Sequence, residues 1–241
     1  MSTTPARLEV AKDPEALARR VARWLTDLAI ASSDRFAICL SGGSTPRRLY
    51  QLLAESPYRE ALPWDRLHWF WGDERFVPWD HPDSNYGMVR AALLARAPIP
   101  PQNIHGIPTG GTPEEAARAY ERALMTYYGS ESLDPARPLF DVMILGLGPD
   151  GHTASLFPGT AALEERRRWA VEVVGAKPEV RITLTYAPIE SSRQAAFLVA
   201  GADKREVLTR GLAGDQALPA ARVHPVGNLT WFVDEAARPQ T

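Results

Sequence analysis

Residues Phe140 to Thr160 read FDVMILGLGPDGHTASLFPGT. Val142-Met143-Ile144-Leu145 is a short, continuous apolar run, the pattern of a strand buried on both faces of a parallel sheet. Gly146, Gly148 and Gly151 follow, as in a chain that turns sharply or lets its backbone approach a ligand closely. Asp150 and His152 therefore leave the sheet at the carboxyl end of a strand, where open α/β sheets bind ligands. The loop also spells GxGxxG. A dinucleotide site would need a long helix after the turn and an acidic residue about 20 positions on, at a new strand. Here Pro158 permits only a short helical piece, and the corresponding region is the charge run Glu164 to Arg168. That motif match is set aside on this ground. Taken alone, His152 reads equally well as a structural histidine; beside Asp150 in a glycine loop it favours chemistry.

Working outward, the same alternation recurs. Asp13-Pro14-Glu15, followed by Leu17, Val21, Trp24, Leu25 and Leu28, reads as an N-capped amphipathic helix. Phe36 to Leu40 reads as a strand, Ser41 to Pro46 as a tight loop and Arg47 to Glu55 as a helix. Leu67 to Trp71 is a second strand, running into Gly72-Asp73-Glu74-Arg75. Pro98 to Pro113 is an irregular connection that ends in the cap Thr112-Pro113-Glu114-Glu115 of a helix through Tyr127. Further strands are expected over Arg181 to Tyr186, Ala196 to Ala200 and Leu229 to Phe232. Strands alternating with helices predict an α/β fold, a mostly parallel open sheet with helices on both faces. With no repeat or low-complexity linker, residues 1–241 are expected to form one domain.

The chain has 241 residues, 45% of them hydrophobic and 23% charged, enough to bury a sizeable core. A net charge of −2, with no dense basic block, argues against a nucleic-acid partner. The single cysteine, Cys39, excludes an intrachain disulfide and a cysteine metal cluster, and a cytoplasmic location is expected. No apolar leader and no run of about 18 apolar residues is present, so no membrane association is expected. His68, His81, His105, His152 and His224 are dispersed and form no HxH or HExxH spacing, so no metal is expected.

Ser41-Gly42-Gly43-Ser44-Thr45-Pro46 stands between a strand and a helix. Free amides at a helix N-terminus, two hydroxyls and close backbone approach suit a phosphate. An ordinary capped turn accounts for this loop equally well when it is seen alone, and GxxxxGK[ST] is absent, so no nucleoside triphosphate is implied. Gly72-Asp73-Glu74-Arg75, followed by Asp83-Ser84-Asn85-Tyr86, puts charge at a second strand end. Arg75 is suited to hold an oxyanion or phosphate, with Asp73 and Glu74 orienting it or acting on a proton; a surface ion-pair cluster is the plainer reading. Lys177 and Arg181 add two cations at the start of a later strand.

Four of these stretches, SGGSTP at Ser41–Pro46, GDERFVP at Gly72–Pro78, DSNYGM at Asp83–Met88 and LGLGPDGHTASLFPGT at Leu145–Thr160, resemble the 6-phosphogluconolactonase family in order and separation. KPEVRITLT at Lys177–Thr185 and VAGADKREVL at Val199–Leu208 extend the resemblance over nearly the whole chain. It implies a Rossmann-like fold shared with glucosamine-6-phosphate deaminase. It also implies hydrolysis of 6-phosphoglucono-1,5-lactone to 6-phosphogluconate, in the oxidative branch of the pentose phosphate pathway, without metal or organic cofactor. The deaminases carry Asn-Glu-Pro after the shared GxGxDGH, where this chain has Ser155-Leu156-Phe157-Pro158. A missing carboxylate there removes part of the proton relay for ring opening. A non-catalytic phosphosugar-binding regulator is a third reading, which predicts a crippled site.

On that resemblance His152 serves both proton steps, since a histidine ordinarily titrates near neutrality. Asp150 orients the imidazole or the substrate hydroxyls, Arg75 stabilises charge, and Asp73 completes the catalytic set. The 6-phosphate is expected on Gly42, Gly43, Ser44 and Thr45, with Lys177 or Arg181 opposite and Glu74 and Asn85 among the binding residues. Ser155 lacks a GxSxG elbow, which argues against a serine esterase. A monomer is expected.

Overall fold

The computed structural model describes residues 6–240. Among the described residues, ten strands and seven α-helices follow one another along the chain. The first half comprises β1 (Arg7–Ala11), α1 (Pro14–Ala31), β2 (Phe36–Leu40), α2 (Ser44–Leu53), α3 (Tyr58–Ala61), β3 (Leu67–Trp71), β4 (Asp73–Arg75), α4 (Asn85–Val89) and β5 (Ile104–His105). The second comprises α5 (Pro113–Tyr128), β6 (Phe140–Gly146), β7 (Ala170–Val173), β8 (Arg181–Leu184), α6 (Tyr186–Glu190), β9 (Ser192–Val199), α7 (Arg205–Leu212) and β10 (Asn228–Asp234).

Seven strands form one sheet in the order β1-β10-β9-β6-β2-β3-β5, and every pairing is parallel. All five residues of β2 are buried, which requires cover on both faces of the sheet. Helices supply that cover. Asp13 caps α1 by accepting from the Ala16 amide at 2.8 Å, and Leu17, Val21 and Leu25 line its buried face. Thr112 and Glu115 close a capping box on α5, which ends at Gly129 with φ +79°, a left-handed stop natural to glycine. At the amino end of the sheet, Asp141 accepts from the Ala37 amide at 2.8 Å and from Arg193 at 3.1 Å, so one carboxylate fixes the start of β6 against its neighbours.

A separate sheet, β4-β8-β7, is antiparallel. It begins where β3 stops, and the Leu184 amide donates to the Gly72 carbonyl at 2.9 Å to tie the two sheets together. The strand expected at Arg181 to Tyr186 thus belongs to this smaller sheet and ends at Leu184, Tyr186 opening α6. Asp73 to Arg75, expected as a loop, is a strand because its carbonyls and amides pair with β8. The second helix starts at Ser44 rather than Arg47.

Where β2 and β3 end, each is held by a phenol. Tyr50 Oη accepts from the Ser41 amide at 2.9 Å and donates to the Ser41 carbonyl at 2.8 Å. Tyr120 Oη does the same for the amide and carbonyl of Trp71, at 2.9 and 2.8 Å. Backbone groups that leave the ladder are thereby satisfied without water.

Candidate active site

Because β6, β2 and β3 are neighbours and parallel, their carboxyl ends share one edge. That edge carries the loop of His152, the turn at Gly42–Gly43 into α2, and β4 with Arg75. β9 lies beside β6 and runs parallel to it, so its carboxyl end, where Gly201 leads into the turn Ala202–Lys204, follows the same edge.

The histidine loop is built around two glycines. A Cβ on Gly148 would stand 2.0 Å from His152 Nδ1, so only glycine admits the ring there. Gly151 holds φ +80°, and the Gly148 amide donates to the His152 carbonyl at 2.8 Å. His152 Nδ1 is hydrogen-bonded to Asp150 Oδ1, and the His152 amide reaches the same oxygen at 3.2 Å. Burial acts to raise the Asp150 pKa, but the hydrogen bond and charge of His152 outweigh it, and the net direction is down. An ionised Asp150 accepts from Nδ1–H and so leaves the lone pair on Nε2. Phe157 packs its ring 4.5 Å from the imidazole. Lys177 stands over that phenyl ring at 5.1 Å, with Nζ 3.8 Å from Asp150 Oδ2.

The arginine loop is more deeply buried. Arg75 Nη1 donates to the Asp83 carbonyl at 2.8 Å and to Asn85 Oδ1 at 2.9 Å. Asn85 Nδ2 donates to the Asp73 carbonyl at 2.9 Å. A Cβ on Gly42 would lie 2.0 Å from Asn85 Oδ1, so the first loop closes against the second. Arg75 faces Arg181 across the antiparallel pair, and the Nε of each is buried without a partner among the described residues. Burial first, and then the Arg75 charge, depress the Arg181 pKa. Arg181 Nη2 also reaches Glu179 Oε2 at 3.4 Å, so its charge is partly balanced within the protein and the remaining donors of the two guanidiniums are what an anion would meet.

Glu74, expected among the binding residues, is turned inward. It is 1% exposed and accepts from the amides of Arg75, Asn85 and Tyr86, each at 2.7 Å, and from Ser84 Oγ at 3.0 Å. Its carboxylate is turned into the protein, where burial raises its pKa against the pull of those four donors. Lys177 is engaged with the histidine loop through Asp150 and Phe157, which leaves Arg181 as the cation beside Arg75.

Gly43 takes φ +106° as the N-cap of α2, and no side chain caps this ten-residue helix. Its first-turn amides remain available to an anion. A cleft of about 650 Å³ opens beside the histidine loop, lined by Phe157, Glu172 and Val174 among others, and shares only Asp150 with the expected residues. Among the described residues no group of three or more His, Cys, Asp or Glu side chains is placed to hold a metal ion. Among them, too, no helix is long and apolar enough to cross a membrane. Sequence reasoning misses the role of Ser155, which donates to Asp73 Oδ2 at 2.7 Å; a serine near a histidine carries no signal of a carboxylate 82 positions away.

The family model for glucosamine-6-phosphate isomerases/6-phosphogluconolactonase matches residues 12–231. The chain belongs to that family. It is 45% identical over 238 residues to a 6-phosphogluconolactonase from a Nostoc species, covering 95% of this chain and 96% of the relative. The crystal structure of 6-phosphogluconolactonase from Thermotoga maritima superposes with a TM-score of 0.82 at 31% identity, covering 95% of this chain and all of the other. A monomeric glucosamine-6-phosphate deaminase has a TM-score of 0.81 at 22% identity, covering 96% and 98% of the two chains, a likeness of fold alone.

Proposed function

We propose that this chain hydrolyses 6-phosphoglucono-1,5-lactone to 6-phosphogluconate in the oxidative branch of the pentose phosphate pathway, as a monomeric, single-domain, cytoplasmic enzyme. One observation carries the mechanism: Asp150 holds His152 through Nδ1, which leaves Nε2 facing no protein partner among the described residues. Nε2 takes a proton from water as the water oxygen bonds to lactone C1. The carbonyl π electrons move to oxygen, and Arg75 stabilises that oxyanion. Collapse restores the carbonyl and breaks the C1–O5 bond, and O5 receives the proton back from the imidazolium. The acid formed then ionises in water.

The 6-phosphate rests on the first-turn amides of α2, with Gly42 and Gly43 allowing close approach and Ser44 and Thr45 donating hydroxyls. Arg181 balances its charge. Asn85, held in turn by Asp73, keeps Arg75 in place. Phe157, rather than a carboxylate, beside His152 favours this reaction over deamination, which needs a further proton carrier near the histidine.

The test is lactone loss above the spontaneous rate, with the lactone generated in place, and ammonia release from glucosamine 6-phosphate in parallel. Acceleration of the first without the second is expected. Ammonia without lactone loss would replace this reading with the deaminase, and inactivity on both would leave a phosphosugar-binding protein.

A further inference from the structure

Ser155 lies three positions after His152 and is fully buried. So close to an imidazole it invites a nucleophile's role, but its hydroxyl is already engaged. Oγ donates to Asp73 Oδ2 at 2.7 Å, and the Ser155 amide donates to Thr183 Oγ1 at 3.1 Å. Asp73 is itself only 7% exposed, and a buried carboxylate requires donors. Ser155 supplies one, and Asn85 Nδ2 reaches the other oxygen at 3.4 Å. Asn85 in turn accepts from Arg75 at 2.9 Å and presses on Gly42. The turn leading to Ser155 includes Ala154 at φ +48°, the only non-glycine residue with positive φ among those described. L-residues rarely adopt this conformation. The contacts therefore run without a break from the histidine loop through Asp73 and Asn85 to Arg75 and the anion loop. Ser155 is the side chain that joins the histidine loop to this chain.

We propose that Ser155 is a positioning residue: through Asp73 and Asn85 it fixes where Arg75 stands relative to His152. This rests on the reading that Asp73 and Arg75 serve the lactone site. It gives the serine a purpose other than nucleophilic attack: its hydroxyl acts beside the bond from its own amide to Thr183, the residue paired with Asp73.

The experiment is a double-mutant cycle on kcat/KM for lactone hydrolysis with Ser155→Ala, Asp73→Asn and both together, with Ser155→Cys as a fourth variant of similar volume and weaker donation. Ser155→Ala is expected to lose about tenfold, the size of effect typical of one hydrogen bond to a charged group. Ser155→Cys should fall between Ala and wild type, and Ser155→Ala should cost clearly less once Asp73 is Asn, whose neutral amide oxygen accepts more weakly than a carboxylate. A purely packing role would give losses that multiply and a thermal shift without the graded order of Ser, Cys and Ala. If Ser155→Ala melts early, the Cys variant in the same cycle carries the test. Activity within twofold of wild type for Ser155→Ala and Ser155→Cys while Asp73→Asn is impaired would overturn the proposal alone. Full activity in Asp73→Asn would overturn the reading of the site as well.

Discussion

The loop of His152 and the segment of β4 and the start of α4 that holds Arg75 meet at one sheet edge but are built in opposite ways. His152, Asp150 and Lys177 are partly open to solvent, held by one side-chain hydrogen bond and one loose ion pair. Arg75 and Asn85 stand on a buried carboxylate, Glu74, that gathers four donors from its own strand and from the start of α4. The difference separates two kinds of importance: a group that moves protons must reach solvent and substrate, whereas Glu74, which fixes the geometry around Arg75, is closed off from solvent.

The sharpest way to break that contrast is His152→Ala. Lactone hydrolysis above the spontaneous rate should fall about 1000-fold, within the usual range for a general acid–base, while the melting curve stays in place. A loss below tenfold would mean that the open loop is not where protons move. Glu74→Ala should act the other way round. It leaves three amides and a hydroxyl without their acceptor, and denaturant titration should show about 3 kcal/mol less stability; unchanged stability would deny that this loop is the fixed wall. Asp150→Asn should cost about tenfold in kcat with little change in stability, since only the orientation of the imidazole is affected.

The smallest expected effect tests the β3–β5 edge of the sheet. His68 Nδ1 and His105 Nε2 are 3.1 Å apart, stacked near Phe70 and Tyr127, with Arg35 over the Tyr127 ring. Burial, and then the charge of His68, push the His105 pKa from 6.5 down to about 4. The unfolded chain then takes up this proton first as pH falls, so the contribution is complete above 6.5 and declines towards 4. Melting temperature should drop by a few degrees over that window, and His105→Gln should flatten the drop; a decline of the same size in the variant would assign it elsewhere.

The two loops also differ in how far they can be read in advance. Val142 to Leu145 followed by closely spaced glycines announces both a buried strand and its functional end, because both signals are local. The strand Asp73 to Arg75 has no such pattern. Three charged residues form a strand there only because β8 pairs with them and because Ser84 to Tyr86 turn their donors onto Glu74. Glu74 reads as a ligand-binding carboxylate for the same reason: nothing in its neighbours tells whether a charge faces water or the interior. The bond from Ser155 to Asp73 is out of reach altogether, since it depends on two loops that the sheet order brings together.

The phenols that close the ends of β2 and β3 have an optical consequence. Tyr50 and Tyr120 are two of seven tyrosines, and burial drives the pKa of both upward. Each proton is also held by a backbone carbonyl. In an alkaline titration followed by ultraviolet absorbance these two should therefore stay dark until the ends of β2 and β3 themselves come apart.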